Sequence, residues 1–180
     1  AVDASGNVYV TGKSPGQETI HLIGLGGRGG STYIINTGND IVTVKYDPNG
    51  NTLWTARYNG ALTADDYASS IAVDPGSGNV YVGGQTWTTA EYVSVGDVLA
   101  YSSSGTQLWA YQDTQAGNTV SVAVDPSGNV IADEISTGTP PFLLRKYSSS
   151  GSITWTYSYG PNVQASSAGP HYTALDKQGN

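Results

Sequence analysis

Short runs of alternating polar and apolar residues extend along most of the chain. Residues 70–73 alternate in this way, the turn-forming pair Asp74 and Pro75 follows, and residues 79–82 alternate again. A two-residue period interrupted by turn residues is typical of antiparallel strands joined by hairpins, and no segment of useful length carries a helical period. For this part of the chain we expect four strands, over residues 69–74, 79–85, 97–102 and 107–112.

Two phrases recur along the chain and set the length of the structural unit. The first reads Ala-Val-Asp or Ala-Leu-Asp and places its aspartate at positions 3, 74, 125 and 176. The second runs from a tyrosine to a glycine four residues later and a tryptophan eight residues later, and it begins at Tyr46, Tyr101 and Tyr147. In both phrases an Asp or Ser oxygen can accept hydrogen bonds from a turn whose glycine adopts a positive φ. The repeating unit is therefore four short strands in about 50 residues.

Repeated four-stranded antiparallel units predict an all-β fold, a β-propeller in which each unit is one blade. A β-sandwich is the alternative, but it does not predict the constant spacing from tyrosine to tryptophan. We expect Trp54, Trp109 and Trp155 to lie in the core between blades. We place blade 1 at about residues 1–59 with a loop insertion at about 13–39, blade 2 at about 69–113, blade 3 at about 120–159 and the start of blade 4 at about 171–180.

The number of blades bears on how the ring is completed. Closed propellers contain about four to eight blades, and this sequence accounts for three blades and the start of a fourth. We therefore expect the chain to be part of a larger propeller, or alternatively to complete its ring with a partner through its open blade edges.

The segments SIAVDPGSGNVYVGG (residues 70–84) and TVKYDPNGNTLWTARYNG (residues 43–60) closely resemble the bacterial and archaeal β-propeller repeat family called SBBP. The resemblance extends over essentially the whole chain apart from about 20 residues after Gly12, and it fades at residues 130–134, which read Val-Ile-Ala-Asp-Glu. The chain is also similar to the blades of NHL-type propellers. The resemblance implies a propeller fold and a secreted or surface setting, and it implies no single activity.

One face of such a propeller is expected to carry the sequence variation. The short turns repeat, whereas the loops and crossovers of the opposite face differ from blade to blade, over residues 13–39, 60–68, 86–96, 114–119, 136–141 and 160–170. Variation on one face of a rigid scaffold is typical of a binding surface. The candidate binding residues on this variable-loop face are Asp65, Asp66, Tyr67, Trp87, Glu91, Tyr92, His171 and Tyr172. The alternative interpretation is structural, with Trp87 and Tyr92 covering a blade edge and Asp65 and Asp66 capping a turn.

Composition argues against several classes of binding partner and bears on where the protein is located. The net charge is −7, and seven Lys and Arg residues form no basic stripe, so nucleic acid and anionic lipid are not expected partners. No apolar run approaches the roughly 20 residues of a membrane helix, so no membrane insertion is expected. The chain has no Cys and no Met, the two side chains most open to oxidation, which favours an extracellular, cell-surface or periplasmic location.

The motifs that could suggest a cofactor or metal site lack the flanking elements or the ligand spacing that such sites require. Gly24 to Gly29 match G-x-G-x-x-G, but no strand precedes them and no helix follows. Each Asp-x-x-Gly turn supplies one carboxylate that the turn backbone already uses, unlike a calcium-binding EF-hand. The two histidines, His21 and His171, have no zinc-site spacing. We therefore expect no cofactor, no metal site and no catalytic residue set.

The favoured hypothesis is a non-enzymatic secreted or cell-surface propeller module that binds a protein or a glycan on the variable-loop face, or assembles on a larger extracellular structure. The alternative is part of a propeller enzyme acting on polysaccharide, a lyase or a hydrolase. Its catalytic candidates would be Tyr67, His171, Asp65, Asp66 and Glu91. A third hypothesis is a structural subunit whose open blade edges pair with other chains.

Overall fold

The computed structural model describes residues 1–22, 31–60, 64–88, 93–114, 116–136, 141–160 and 173–176. Within these ranges the regular structure is all β, and no helix is present that could cross a membrane. The strands are β1 (Val8–Leu22), β2 (Ser31–Tyr46), β3 (Thr52–Tyr58), β4 (Tyr67–Val73), β5 (Val80–Thr88), β6 (Val93–Tyr101), β7 (Gln107–Asp113), β8 (Ala116–Val124), β9 (Val130–Ser136), β10 (Phe142–Tyr147) and β11 (Ile153–Tyr159).

The strands form three antiparallel sheets in which sequence neighbours are also spatial neighbours. The sheets have the orders β1-β2-β3, β4-β5-β6-β7 and β8-β9-β10-β11. In the first sheet, Val2 forms an isolated bridge to Val8, and Ala1 exchanges backbone hydrogen bonds with Tyr9. Ala1 and Val2 therefore lie where the other two sheets have their first strand. The described sheets do not close into a ring, and they confirm the expected all-β fold of four-stranded antiparallel units.

The largest difference from expectation is the segment 13–39, for which we expected a loop insertion. In the structure β1 and β2 continue through most of it as a paired hairpin, from Val8 opposite Tyr46 to Leu22 opposite Ser31. The register shifts between Pro15 and Gln17, where proline cannot donate a ladder hydrogen bond. The β-branched residues of this segment favour strands. The Gly24–Gly29 motif lies wholly outside the described residues, but β1 ends at Leu22, so the expectation that no strand precedes the motif was wrong.

The turns have the predicted chemistry. Asp125 Oδ1 accepts hydrogen bonds from the backbone N–H groups of Ser127 and Asn129, both at 2.9 Å. In the serine-rich turns a hydroxyl replaces the carboxylate, and Ser102 Oγ accepts the N–H of Thr106 at 3.1 Å. The glycine that ends each turn has a positive φ, +78° at Gly128. The turn backbone therefore occupies the aspartates that could otherwise suggest calcium ligands.

The hydrophobic core lies between sheets. Because side chains alternate along a strand, β5 sends Val80 and Val82 towards the first sheet and Tyr81 towards the third. Two clusters result. The first joins sheets one and two through Tyr9, Ile41, Val80, Val82, Leu99 and Tyr101, and the second joins sheets two and three through Tyr81, Val98, Ala100, Val122, Val130, Ala132 and Tyr147.

The repeated tryptophans link each sheet to the next. The indole N–H of Trp54 donates to the backbone oxygen of Ser103 at 3.0 Å, and that of Trp109 donates to Ser149 at 2.9 Å. These two residues confirm the expected inter-blade position. Trp155, on the last strand, is 42% exposed, because no further sheet among the described residues covers it.

Candidate functional site

The candidate site lies on the variable-loop face, where the crossover from the first to the second sheet meets the middle of β2, at Asn39, and the end of β5. Asp65, Asp66 and Tyr67 end this crossover and begin β4, and Trp87 lies near the end of β5. Asp66 connects the crossover to β5. The backbone N–H of Trp87 interacts with the Asp66 carboxyl and lowers its pKa. The remaining candidates, Glu91, Tyr92, His171 and Tyr172, lie outside the described residues.

Asp65 holds the crossover against β2 and also positions Tyr67. One of its carboxylate oxygens accepts the backbone N–H of Asn39 at 2.9 Å, and the other accepts the hydroxyl of Tyr67 at 3.0 Å. Hydrogen bonds from Asn39, and then from Tyr67, lower the pKa of Asp65. The ammonium group of Lys13 lies 4.6 Å from the centre of the Tyr67 ring. We call Lys13, Asn39, Asp65, Tyr67 and Trp87 the crossover site.

Arg57 adds a second cation at this end of the first sheet. Its guanidinium contacts Asp40 at 2.8 Å and also donates to the backbone oxygens of Ser14 and Pro15. Asp40 is buried, whereas the side chain of Arg57 is 44% exposed. With Ser14 Oγ, at 3.2 Å from the second guanidinium nitrogen, four acceptors fix an exposed guanidinium in one orientation.

Asp66 faces inward rather than towards solvent. Its carboxylate accepts the backbone N–H of Gly60 at 2.7 Å, and its own N–H donates to Asn39 at 2.6 Å. Burial raises the pKa of Asp66 to about 6, against the opposing effect of the Gly60 hydrogen bond. Asp66 thus ties the two ends of the crossover together, which agrees with the turn-capping interpretation of this residue.

A second buried carboxyl, Asp97 on β6, lies near Asp66. Burial raises the pKa of Asp97 to about 7. The nearby Thr86 and Gln112 side chains lower this pKa, but their effect is smaller than that of burial. The two acids also act on Tyr58, whose pKa is raised by burial, then by Asp97 and Asp66. We call Asp66 and Asp97 the acidic pair.

A separate charged group joins the second and third sheets. Arg145 on β10 forms an ion pair with Asp113 on β7, and its guanidinium lies 3.5 Å from the carboxylate of Glu134 on β9. Glu134 also accepts the hydroxyl of Tyr147 at 2.8 Å, and burial raises the pKa of Glu134 to about 7. All four residues are buried. We call Asp113, Glu134, Arg145 and Tyr147 the ion-pair cluster.

Sequence reasoning did not identify the acidic pair as a unit or the ion-pair cluster at all. A signal was present, because Asp97 stands within VSVGDVLAY, Glu134 within VIADEIS and Arg145 within FLLRKY, all otherwise largely apolar strands. A charge inside such a run is rarely left unpaired. Within the described residues no group of three or more His, Asp or Glu side chains could hold a metal ion.

We expect the free energy of unfolding to fall as the pH rises from about 5 to about 8. Between its ordinary value of 3.8 and the raised pKa of about 7, folded Asp97 keeps a proton that the unfolded chain releases, so rising pH favours unfolding. Such a group contributes a slope of up to about 1.4 kcal/mol per pH unit. Asp97→Asn removes the contribution of this carboxyl to the slope. In urea unfolding followed by tryptophan fluorescence, the variant should show a flatter pH dependence than the parent chain and a higher free energy of unfolding at pH 8.

Asp47→Asn is the matched control for this experiment. Hydrogen bonds from Asn51 lower the pKa of Asp47, so its contribution is present above pH 4 and is lost only as the pH falls further. The control should leave the slope between pH 5 and pH 8 unchanged. An unchanged slope in Asp97→Asn would contradict the assignment.

The order of the sheets and the packing between them are those of part of a β-propeller. Residues 53–89 match the family called SBBP, described as a beta-propeller repeat. This match confirms, for that segment, the resemblance to the SBBP repeat seen in the sequence.

The chain is also similar to two further proteins. The chain is 31% identical, over 144 residues, to an uncharacterized WD repeat-containing protein of Acanthamoeba polyphaga mimivirus, and this match covers 73% of the chain and 9% of the viral protein. A crystal structure of a protein of unknown function from Bacteroides caccae is similar with a TM-score of 0.53 and 13% identity, over 93% of this chain and 49% of that one. The chain thus spans at most about half the length of either protein.

Proposed function

We propose that the chain is a non-enzymatic, secreted or cell-surface propeller module that binds a partner on its variable-loop face. The observation that carries this proposal is the crossover site, where the ammonium group of Lys13 lies 4.6 Å from the centre of the Tyr67 ring on the face whose segments do not repeat. The opposite face presents the repeated short turns and offers no comparable variation.

The side chains at this face favour a protein as the partner, with a glycan as the second candidate. Tyr, Trp and Arg are the residues that most often dominate the binding energy of protein interfaces. Arg57 is already held by Asp40 and two backbone oxygens, and Tyr67 is held by Asp65 and Lys13. Fixed side chains lose little conformational freedom on binding, which lowers the cost of association.

Binding can be tested with purified surface proteins of the source organism and with a glycan array, using Tyr67→Ala combined with Lys13→Ala. We expect the double variant to weaken saturable binding at least about tenfold, which corresponds to about 1.4 kcal/mol. Asn49→Ala, in a repeated turn of the other face, should bind like the parent chain. Binding that is equally strong in all three proteins, or absent from both sets of probes, would contradict the proposal.

An activity assay distinguishes the alternative hypothesis, a polysaccharide lyase or hydrolase, from the binding module. Asp65 and Asp66 lie next to Tyr67, but each carboxylate already accepts a backbone N–H. Release of reducing ends or unsaturated sugars from a polysaccharide, lost in Asp66→Asn, would replace the binding proposal with a lyase or hydrolase.

A further inference from the structure

The acidic pair lies at the contact between the crossover and the second sheet. Asp66 ends the crossover and is 1% exposed, whereas Asp97 is fully buried on β6. The charge on Asp66 is one of the influences that raise the pKa of Asp97, so the two carboxyls act on each other although they belong to different elements. Movement of the crossover away from the second sheet therefore changes the surroundings of both acids.

Gly60 and Thr86 connect the two acids through direct contacts. The backbone N–H of Gly60 donates to Asp66 at 2.7 Å, and a Cβ added to Gly60 would lie 2.9 Å from the Cβ of Thr86. Thr86 accepts the side-chain amide of Gln112 at 2.9 Å, and hydrogen bonds from both of these side chains lower the pKa of Asp97. A continuous path of contacts thus extends from the crossover through Thr86 to Asp97.

The surroundings of the acidic pair add negative charge and supply no counter-charge. The titratable groups that face the pair from the neighbouring elements are Asp40 on β2, Tyr58 on β3, Asp65 on the crossover and Tyr101 on β6. Of the nearby cations, Arg57 pairs with Asp40, and Lys13 lies over the ring of Tyr67. Among the described residues no cation forms an ion pair with Asp66 or Asp97.

Buried carboxyls without a counter-charge favour their protonated forms. Burial raises the pKa of Asp66 to about 6 and that of Asp97 to about 7, both above the ordinary value of 3.8. Opening of the crossover returns these groups to water, where they release their protons, so rising pH favours the open form. Above about pH 6 closed Asp66 is already ionised, and up to about pH 7 only Asp97 still couples opening to pH.

We propose that the acidic pair is a pH-sensitive latch, which holds Gly60 and residues 64–66 on the second sheet when it is protonated and releases them as the pH rises. Asp65 and Tyr67 flank Asp66 and belong to the crossover site, so release of the latch disturbs that site and weakens the binding of a partner there. This consequence rests on the proposed function, whereas the latch itself does not.

Hydrogen exchange of the Gly60 and Asp66 backbone amides tests the latch, if it is followed by NMR and corrected for the intrinsic exchange rate at each pH. In the closed form the Gly60 amide donates to Asp66, and the Asp66 amide donates to Asn39. We expect the protection of both amides to fall about tenfold between about pH 6 and about pH 8, because opening releases one proton up to the pKa of Asp97. Asp97→Asn preserves the size of the side chain and cannot ionise, so its protection should stay constant over this interval.

Glu134→Gln is the matched control. Burial also raises the pKa of Glu134 to about 7, but this acid lies between the second and third sheets, so the fall in protection at Gly60 should persist in the variant. Leu99, in the core of the second sheet, should be protected more strongly than Gly60 at every pH. Protection at Gly60 that does not change with pH, or that still falls in Asp97→Asn, would overturn the proposal. Equal protection of Gly60 and Leu99 would also overturn it, because the crossover would then open only when the whole chain unfolds.

The binding assays with surface proteins and glycans separate the latch from the proposed function. For a probe that binds, we expect an affinity that is lower at about pH 8 than at about pH 6, by up to about tenfold for the one proton released, and Asp97→Asn should bind equally at both values. A pH-independent affinity together with pH-dependent exchange would overturn the regulation of the crossover site. The absence of any binding probe would contradict the proposed function alone, since the exchange measurement needs no partner.

Discussion

Arg145→Met is expected to lower the free energy of unfolding by about 3–5 kcal/mol, the usual cost of removing one partner of a buried ion pair. The side chain of Arg145 is 3% exposed and faces two buried carboxylates, Asp113 and Glu134. Without the guanidinium both acids must either stay ionised in the interior or take up protons. Urea unfolding at neutral pH measures the loss directly.

The pH dependence of this loss identifies its electrostatic cause. Burial raises the pKa of Glu134 to about 7. Below this value folded Glu134 is neutral and needs no cation, whereas above it the Arg145→Met variant leaves an uncompensated charge. The destabilisation should therefore be larger at pH 8 than at pH 5, and adding Glu134→Gln should recover part of the loss at pH 8.

Lys146→Met provides a neighbouring control. Lys146 contacts Asp125 at 2.7 Å, but its side chain is 24% exposed and points to the other face of β10. A partly solvated pair of this kind is worth about 1 kcal/mol or less. Equal losses for the two variants, or a loss for Arg145→Met that does not change with pH, would show that packing rather than charge compensation stabilises the cluster.

The features that could be predicted from the sequence are those set by local and repeated chemistry. Aspartate or serine and glycine at fixed positions determine each turn, and two-residue alternation determines the strands around it. The constant spacing from Tyr101 to Trp109, and from Tyr147 to Trp155, also indicated that the tryptophans share one structural role. These signals suffice for the hairpins of the repeat and for the tryptophan contacts between sheets, but not for the extension of β1 and β2 through most of residues 13–39.

The features that could not be predicted depend on residues that do not repeat. Asp113 and Arg145 stand in different sheets, and neither has a charged counterpart at the same position of the other repeats. A charge inside an apolar strand indicates that a partner exists, but not which of several distant strands supplies it. The candidate site shows the same limit, since Asp65 and Tyr67 were identified while their partners Asn39 and Lys13 were not.

Trp109→Ala is expected to lower the free energy of unfolding by about 3 kcal/mol, the low end of the range for aromatic core residues, because Trp109 is partly buried. Trp109 packs between the second and third sheets against Tyr81 and Tyr147 and donates to Ser149. Trp155→Ala removes the same side chain from the same repeat position, where it is 42% exposed. Measured by urea unfolding, its loss should be about 1 kcal/mol or less.

Substitution of the glycine that lies against the indole gives a second test of the contact between the second and third sheets. Gly151→Ala places a Cβ 2.8 Å from the Trp109 ring at a φ of +88°, so it adds a steric clash to the backbone strain of about 1–2 kcal/mol. Gly50→Ala, at a φ of +85° with open space, should show the strain alone. In the Trp109→Ala background the clash disappears, and Gly151→Ala should then cost no more than Gly50→Ala. Additive losses for Trp109→Ala and Gly151→Ala would mean that the indole does not press on this turn.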